Sequence, residues 1–233
     1  MGAIFQYTTM ALSVDYCYKY VLNLIRKNQA GGLGNEEFEN MWNGEQTAYQ
    51  DDILGRFQAR NNGKTGLNTG LIEDETILQK LSPFISTTTL TVTSGATDKP
   101  TDFVFRTSLM VSGYNCYKVN HNQRDAVNHS VIDAPSVTDN RYYFLEYEDY
   151  YEFLPSTVTS AVLNYVKTPP NVKWGFIYDA DGRQVYNSGT SIQPLWDNSS
   201  TREICKRVLK SIGVSFKDAD FENFGQQTII SGD

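Results

Sequence analysis

Residues 165–174 read YVKTPPNVKW, a strand-like run that contains two prolines and ends in a tryptophan. This run leads toward a helix whose start is marked by Ser200 and Glu203, the spacing of a capping box. Gly213 is placed to end that helix in the left-handed C′ conformation. The stripe that the helix would bury consists of Ile204, Val208, Leu209 and Ile212. The last third of the chain therefore joins a strand region to a well-marked helix.

Two further helices are predicted near the start of the chain. In the first, apolar residues recur at helical spacing from about Ser13, and Gly31 and Gly32 follow its last turn. In the second, Asn35 is placed to cap a helix with one broad apolar face. The residues on that face include Phe38, Met41, Trp42, Ala48, Tyr49 and Ile53.

A glycine-rich segment follows these helices. Residues 61–70 read NNGKTGLNTG, which is typical of a loop. Ile77, Leu78 and Leu81 then mark a short helix, and Pro83 ends it because the residue before a proline avoids the helical region.

The middle of the chain has a different composition, in which β-branched and aromatic residues dominate. Asp181 and Gly182 supply a hairpin turn near its end. An antiparallel sandwich or small barrel is the natural packing for such a set of strands. The predicted strands cover residues 87–93, 103–111, 114–119, 141–153, 158–166, 172–178 and 184–186.

The order of these elements predicts an α+β fold. N- and C-terminal helices would pack together, with an antiparallel β-sandwich or barrel inserted between them. The predicted regions are residues 1–84 for the N-terminal helices, 85–195 for the inserted β domain and 196–233 for the C-terminal helices. Asp218 is placed to start a last short helix that carries Phe221 and Phe224.

The charge balance argues against a protein that grips nucleic acid. The net charge is −7 and the isoelectric point is about 4.9, whereas phosphate binders concentrate Lys and Arg on one face. An acidic surface is compatible with a conduit for DNA, because like charge discourages sticking to the wall.

The cysteines and the N-terminus indicate the compartment in which the chain is made. Cys17, Cys116 and Cys205 form no C-x-x-C pair, so neither a disulfide framework nor a zinc knuckle is predicted. The N-terminus lacks a basic region followed by an apolar stretch, and no apolar run approaches about 18 residues. We therefore expect synthesis in a reducing cytosol and no membrane span.

Residues able to bind metal or catalyse a reaction are scarce. His121 and His129 are the two histidines, and Cys116 lies near them, but the loop between the histidines is polar and irregular. Solvated loop histidines are the better interpretation. Residues from Asp179 imitate a calcium loop, yet its twelfth position is Thr190 where a bidentate glutamate is required. The sequence therefore predicts no catalytic residue, no cofactor and no metal site.

One long strand is predicted at residues 141–153, with aromatic residues on one face and carboxylates on the other. The carboxylates would lie in water and keep ordinary pKa values. The tyrosines allow a second interpretation, a platform on which sugars stack, although core and subunit packing are the commoner uses. The carboxylates are Glu146, Glu148, Asp149 and Glu152, and the tyrosines are Tyr142, Tyr143, Tyr147, Tyr150 and Tyr151.

Three blocks of sequence carry a family resemblance that covers most of the chain. The opening block contains Phe38, Asn43, Gln46 and Leu54, followed by LSPF at residues 81–84. The strand block contains FLPST at residues 153–157, YVKTP at residues 165–169, and Trp174 with Gly175. The closing block contains Leu195 and Trp196, Glu203 and Ile204, residues 212–214, and Asp218. Together they resemble the neck ring proteins of tailed phages, also called head-to-tail connector or adaptor proteins, of the crAss-like phage type.

The resemblance implies a structural virion protein and not an enzyme. It implies a homomeric ring of about twelve copies, matching the portal, because cyclic assembly requires closure. The expected partners are the portal protein and the adjacent neck or tail rings, with DNA passing transiently and without specific contacts. The protein would be made in the host bacterial cytoplasm and would reside in the neck of the virion. The polar insert at residues 120–140 departs from the family pattern, and the alternative function is a carbohydrate- or receptor-binding module of a phage tail.

Overall fold

The computed structural model describes residues 12–27, 32–62 and 77–215. The chain divides into two compact units, one formed by Met1–Pro83 together with Pro169–Asp233, and the other by Phe84–Thr168. Helices from both ends of the chain share the first unit, and a β-sheet forms the second. This arrangement confirms the predicted α+β fold with an inserted sheet. The predicted helix from Asp218 lies outside the described residues. Of the loop predicted at residues 61–70, residues 61 and 62 are helical instead, and residues 63–70 also lie outside the described residues.

The first helix, α1, covers Val14–Lys27. Ser13 caps it, because the Ser13 hydroxyl accepts a hydrogen bond from the Tyr16 N–H at 3.2 Å. Of the residues predicted for its apolar face, Cys17, Val21 and Ile25 are buried and Tyr20 and Leu24 are half-buried, and Val14 is buried as well.

The second helix, α2, covers Asn35–Asn62 and buries Phe38, Trp42, Tyr49 and Ile53. The predicted cap is shifted by one residue. Asn35 is already helical, and the carbonyl of Gly34 accepts the hydrogen bond from the Phe38 N–H at 3.0 Å. Further along the chain, residues 77–81 form the described part of α3, and a 3-10 turn at Ser82–Phe84 follows it.

The C-terminal helix of the described chain, α5, covers Asn198–Ser215. The predicted capping box at Ser200 and Glu203 is wrong, because Asp197 is the cap. Its carboxylate accepts hydrogen bonds from the Ser200 N–H at 3.1 Å and from the Ser199 hydroxyl at 2.8 Å. Burial raises the pKa of Asp197, but these hydrogen bonds outweigh burial and hold that pKa below its ordinary value.

Ser200 has a different role from the predicted one. It is fully buried, and its hydroxyl lies 3.1 Å from the Tyr49 hydroxyl on α2. Gly213 does not end α5, which continues to Ser215. A glycine inside a helix costs about 1 kcal/mol relative to alanine, and burying a side chain the size of Ile212 contributes about 2 kcal/mol. Packing of Ile212, which is 0% exposed, therefore outweighs the tendency of Gly213 to end the helix.

Polar contacts also connect α5 to α2. Arg207 forms an ion pair with Asp52 at 2.7 Å and lies over the ring of Tyr49, 5.2 Å from its centroid. The Ser211 hydroxyl donates a hydrogen bond to Glu45. The two ends of the chain thus form one packed helical unit, as the order of elements predicted.

The second unit contains a mixed sheet with the strand order β1-β7-β3-β4-β5-β6-β2. Neighbouring strands run antiparallel except β4 and β5, which are parallel. The two edge strands follow each other in the chain through a tight turn at residues 93–96 and contact each other, and the sheet is nearly closed and barrel-like. The strands are β1 (Ile85–Thr91), β2 (Ala96–Asp98), β3 (Phe103–Val111), β4 (Tyr114–Lys118), β5 (Tyr142–Glu146), β6 (Tyr150–Leu154) and β7 (Ser160–Lys167).

Tight turns fix the register of the sheet. Ser112 and Gly113, which join β3 to β4, both have positive φ, at 51° and 84°. Val111 and Tyr114 face each other across this two-residue turn, the arrangement that suits the right-handed twist of a hairpin.

Between β4 and β5 the chain forms a 3-10 turn at His121–Gln123 and a short helix, α4, at Arg124–Asn128.

The prediction of one strand over residues 141–153 is wrong. A turn at residues 147–149 separates β5 from β6, closed by a hydrogen bond from the Tyr147 N–H to the Tyr150 carbonyl at 3.0 Å. The turn reverses which positions face the core, because the buried ring of Phe144 faces that of Phe153 across the two strands. The core of the sheet is formed by Leu90, Val92, Leu109, Val111, Cys116, Tyr142, Phe144, Tyr151, Phe153, Val158, Ala161, Leu163 and Tyr165.

Residues 169–195 belong to the helical unit, although the sequence placed them in the β domain. They contain a separate two-stranded sheet of β8 (Phe176–Tyr178) and β9 (Gln184–Tyr186), followed by a 3-10 turn at Ser188–Thr190. The physical reason for the different boundary is a set of hydrogen bonds to α2. Asn43 alone bonds both backbone groups of Val172.

We predict that Asn43→Ala lowers the free energy of unfolding by about 3 kcal/mol, because it leaves the backbone N–H and carbonyl of buried Val172 without partners. Urea unfolding followed by circular dichroism measures the change. Asn40→Ala is the matched control, since Asn40 is an exposed residue on the same helix and its replacement changes stability by less than about 0.5 kcal/mol. Equal effects of the two substitutions would contradict the role assigned to Asn43.

The cap of α5 generates a second expectation. Asp197→Ala lowers stability by about 1 kcal/mol, whereas Asp197→Asn loses much less, because an asparagine side chain also accepts hydrogen bonds from the first turn. Thermal unfolding of the two variants, compared with the unchanged protein, distinguishes them. A loss of similar size in both variants would show that the charge of Asp197, and not its capping geometry, stabilises the helix.

Candidate functional site

Three polar side chains on one face of α2 hold the chain where it returns from the sheet. Glu39, Asn43 and Gln46 are spaced four and three residues apart, so they lie on the same helix face. We call this group the α2 clamp. It holds residues 170–174 through backbone atoms, so the side chains of that segment are free to pack elsewhere.

Each member of the α2 clamp bonds a different part of the returning segment. Glu39 accepts a hydrogen bond from the Trp174 N–H at 2.8 Å. Asn43 accepts one from the Val172 N–H at 2.7 Å and donates one to the Val172 carbonyl at 3.2 Å. Gln46, which is 1% exposed, donates to the Pro170 carbonyl and to Asn43, both at 3.0 Å.

Trp174 anchors the small sheet to the helices. Its indole N–H donates to the carboxylate of Asp15 on α1 at 3.1 Å. Its ring packs on Tyr18 at a centroid distance of 5.0 Å, on Tyr186 at 5.9 Å and on Phe176 at 6.1 Å. Phe176 and Tyr186, on the inner face of the β8–β9 hairpin, are thereby half-buried.

The outer face of the same hairpin is apolar and uncovered. Ile177 and Val185 face each other across the two strands and are 53% and 43% exposed. Alternation along a strand places them opposite Phe176 and Tyr186. We call the pair Ile177 and Val185 the outer hairpin face. Exposed apolar patches of this kind mark interaction surfaces in many proteins.

The insert at residues 120–140 also exposes apolar side chains. It is polar in composition, yet Val131, Ile132 and Val137 project into solvent, with Val131 fully exposed. The Ser130 hydroxyl shapes the loop by accepting hydrogen bonds from the N–H groups of Ile132 at 3.3 Å and Asp133 at 2.9 Å. Sequence analysis missed this surface, because three separated apolar residues in a polar loop have no periodicity.

The prediction that Glu146 lies on a solvated strand face is wrong. Glu146 is at the centre of a cluster of cations, where Lys118 lies 2.8 Å, Lys99 3.6 Å and Arg106 3.8 Å from its carboxylate. Burial raises the pKa of Glu146, but the hydrogen bond from Lys118 and the three positive charges outweigh burial and hold that pKa below its ordinary value. The three cations lie 28 to 47 positions before Glu146 in the sequence. The alternation of residues along one strand does not reveal partners that far away.

The other predicted carboxylates have separate surroundings. Glu152 forms an ion pair with Arg124 and accepts a hydrogen bond from the Tyr147 hydroxyl at 3.1 Å. Glu148 and Asp149 lie in the exposed turn between β5 and β6. The structure therefore does not bring these four carboxylates together into one site.

The tyrosines divide between the core and the surface. Tyr142 and Tyr151 are buried, so neither can contact a sugar. Tyr147 stacks on Tyr150 with ring centroids 4.3 Å apart, and His121 packs against Tyr147 at 4.6 Å. Because Tyr147 already uses its ring to contact these neighbours, the aromatic surface left for a ligand is smaller than the sequence suggested.

The predicted histidines and the calcium-like segment have ordinary structural positions. The Nδ1 atom of His129 lies 2.8 Å from the Asp125 carbonyl within its own loop. Burial raises the pKa of Cys116 to about 12, so its thiol stays protonated. The carboxylate of Asp179 accepts hydrogen bonds from the N–H groups of Asp181 at 2.9 Å and Arg183 at 2.8 Å, which makes a tight turn.

The described part of the chain contains neither a metal-binding cluster nor a helix suited to cross a membrane. Among residues 12–27, 32–62 and 77–215, no group of three or more His, Cys, Asp or Glu side chains is arranged to hold a metal ion. Within the same ranges, no helix is both long and apolar enough to cross a membrane.

No protein-family model matches the chain, and no curated protein sequence matches it.

The cluster around Glu146 generates a pH-dependent prediction. Glu146→Gln lowers the free energy of unfolding at pH 7 by about 1 kcal/mol, because three cations lose a shared partner. A depressed pKa stabilises the fold above the unfolded value of about 4.3, and the contribution is lost as pH falls through the folded value. The stability difference between Glu146→Gln and the unchanged protein therefore shrinks as pH falls below about 4.

Urea unfolding at several pH values measures this difference. Glu148→Gln is the matched control, because Glu148 lies two residues away in an exposed turn. Its replacement changes stability little at any pH. A destabilisation by Glu146→Gln that stays constant between pH 7 and pH 3 would mean that the carboxylate charge is not what stabilises the fold.

Proposed function

We propose that this protein is a structural subunit of a tailed-phage neck, forming a homomeric ring between portal and tail. The proposal rests on one observation, which is where the structure places the residues that carry the family resemblance. Asn43 and Gln46 from the opening block bond directly to residues 170–172, next to the strand block. Trp174 from the strand block bonds Asp15 and Glu39.

The closing block joins the same helical unit. Trp196 is buried, and its ring packs edge to face on Tyr49 with centroids 5.2 Å apart. Ile204 is fully buried on α5. Residues that are far apart in the sequence and that carry the resemblance therefore serve one structural purpose, which is to build a helical unit from both chain ends.

The mechanism of such a subunit is geometric. A homomeric ring closes when one surface of each copy binds a different surface of the next copy with the correct rotation, and about twelve copies would match the portal. The outer hairpin face supports this proposal, since an exposed apolar pair on a structured hairpin suits burial in a subunit contact. The adjacent partners would be the portal and the neighbouring neck or tail rings.

The charge supports passage of DNA without retention. A net charge of −7 gives each copy an acidic balance, and a ring would multiply it. Duplex DNA is itself a dense polyanion, so an acidic bore does not hold it electrostatically. The proposed location is the neck of the virion, after synthesis in the host cytoplasm.

A second candidate function is a carbohydrate- or receptor-binding module of a phage tail. The stacked pair of Tyr147 and Tyr150 favours it, because Tyr150 retains an exposed ring surface. Binding on a glycan array that is lost in Tyr150→Ala but kept in Tyr117→Ala would favour this function over a ring. Tyr117 is the control, since it is an exposed tyrosine elsewhere in the sheet unit.

We predict that the purified protein, mixed with its proposed partner, the portal protein, joins a ring complex seen by negative-stain microscopy and native mass spectrometry. The double substitution Ile177→Asp and Val185→Asp abolishes incorporation, because it places two charges on an apolar contact. Gln184→Asp is the matched control, since it adds a charge to the opposite face of the same hairpin.

Two different results would test the hairpin contact and the neck function separately. Incorporation of both variants would show that the outer hairpin face is not a subunit contact while leaving the ring intact. Failure of the unchanged protein to join any portal complex would count against the neck function itself.

A further inference from the structure

The cluster of Lys99, Arg106, Lys118 and Glu146 has more positive than negative charge in a half-buried position. Lys99 follows β2, Arg106 lies in β3, Lys118 ends β4, and Glu146 ends β5. The side chains of Lys99, Arg106 and Glu146 are 11%, 22% and 19% exposed, whereas Lys118 is half exposed. Three cations therefore share one carboxylate.

That carboxylate does not satisfy all three cations. Only Lys118, at 2.8 Å, is within hydrogen-bonding distance of it. Lys99 at 3.6 Å and Arg106 at 3.8 Å lie beyond the range of about 2.7–3.2 Å of an N–H···O hydrogen bond. The Nε atom of Arg106 is buried and has no hydrogen-bond partner among the described residues. A buried donor without a partner is costly, so these groups favour an additional acceptor.

Aromatic rings hold Lys99 and Arg106 in place. The guanidinium of Arg106 lies over the ring of Phe144, 4.6 Å from its centroid. The ammonium of Lys99 lies over the rings of Phe103 at 4.9 Å and Tyr151 at 5.1 Å. Since all three rings come from the packed side of the sheet, the cations are positioned before any ligand arrives.

We propose that Lys99, Arg106 and Lys118 form a binding site for a small divalent oxyanion, of which a phosphate group is the type. The charge of a phosphate near neutral pH, about −2, balances the two positive charges that Glu146 leaves uncompensated. A guanidinium presents a planar fork of donors to such an oxyanion, and two ammonium groups supply point charges. A monatomic anion such as chloride has a single acceptor centre, whereas a phosphate group has several acceptor oxygens and can reach three separated donors more easily. This inference does not rest on the neck function.

The test is a titration of the full-length protein with inorganic phosphate at constant ionic strength, followed by backbone amide NMR. We expect saturable shifts around Lys99, Arg106 and Lys118, with sodium chloride at the same ionic strength giving none. Arg106→Gln weakens phosphate binding by about tenfold, the effect of losing one charged hydrogen-bonding partner. Glu146→Gln strengthens it by about tenfold, because it removes the competing carboxylate.

Two further variants keep the result interpretable. Lys118→Gln replaces a half-exposed side chain and reports on the site even if Arg106→Gln fails to fold. Lys19→Gln removes an exposed charge on α1 and leaves phosphate binding unchanged. The proposal is overturned if neither the unchanged protein nor Glu146→Gln binds phosphate up to about 20 mM. It is equally overturned if binding occurs but Lys118→Gln and Arg106→Gln, where folded, do not weaken it.

Discussion

The α2 clamp is the interaction on which the organisation of the chain depends. Asn43 bonds both backbone groups of Val172, a residue 129 positions further along the sequence. A loop of that length costs little more to close than one half as long, because closure entropy grows only logarithmically. A few buried hydrogen bonds can therefore fix where the chain returns from the sheet. Glu39 and Gln46 extend the same contact to Trp174 and Pro170, so three side chains of one helix define the limit of the inserted unit.

Helical spacing of apolar residues predicted where the helices lie, but the local signals for their ends were wrong at Asn35, Ser200 and Gly213. Most of the buried face of α1 was predicted, because Cys17, Val21 and Ile25 follow helical spacing, and the packing together of both chain ends followed from the order of the elements. The sequence could not show that residues 169–195 join the helices, because their strand-like composition is the same in either unit. Their assignment depends on Asn43 and its neighbours, and a polar residue on a helix does not reveal its distant partner.

The errors at the sheet have the same origin. Between residues 141 and 153 the alternation of side chains changes parity at a turn without glycine or proline, so a single strand was the simplest interpretation. That interpretation placed Glu146 in water, whereas pairing of β4 with β5 and the position of β3 bring it to Lys118 and Arg106. Strand pairing is a non-local property, and the cluster of charges was therefore invisible until the sheet order was known.

The acidic surface as a whole and the cluster of cations around Glu146 act on different ligands over different distances. At physiological salt the screening length is about 8 Å, so a polyanion such as DNA is repelled by acidic surface only where it comes within about that distance of it. A small oxyanion at Lys99 and Arg106 instead experiences the nearest charges, which lie within about 4 Å of Glu146 and are partly shielded from water. Because three cations are grouped around one carboxylate, the rest of the chain is more acidic than its net charge indicates. Repulsion of long nucleic acid and the proposed binding of a phosphate group at this cluster are therefore physically compatible.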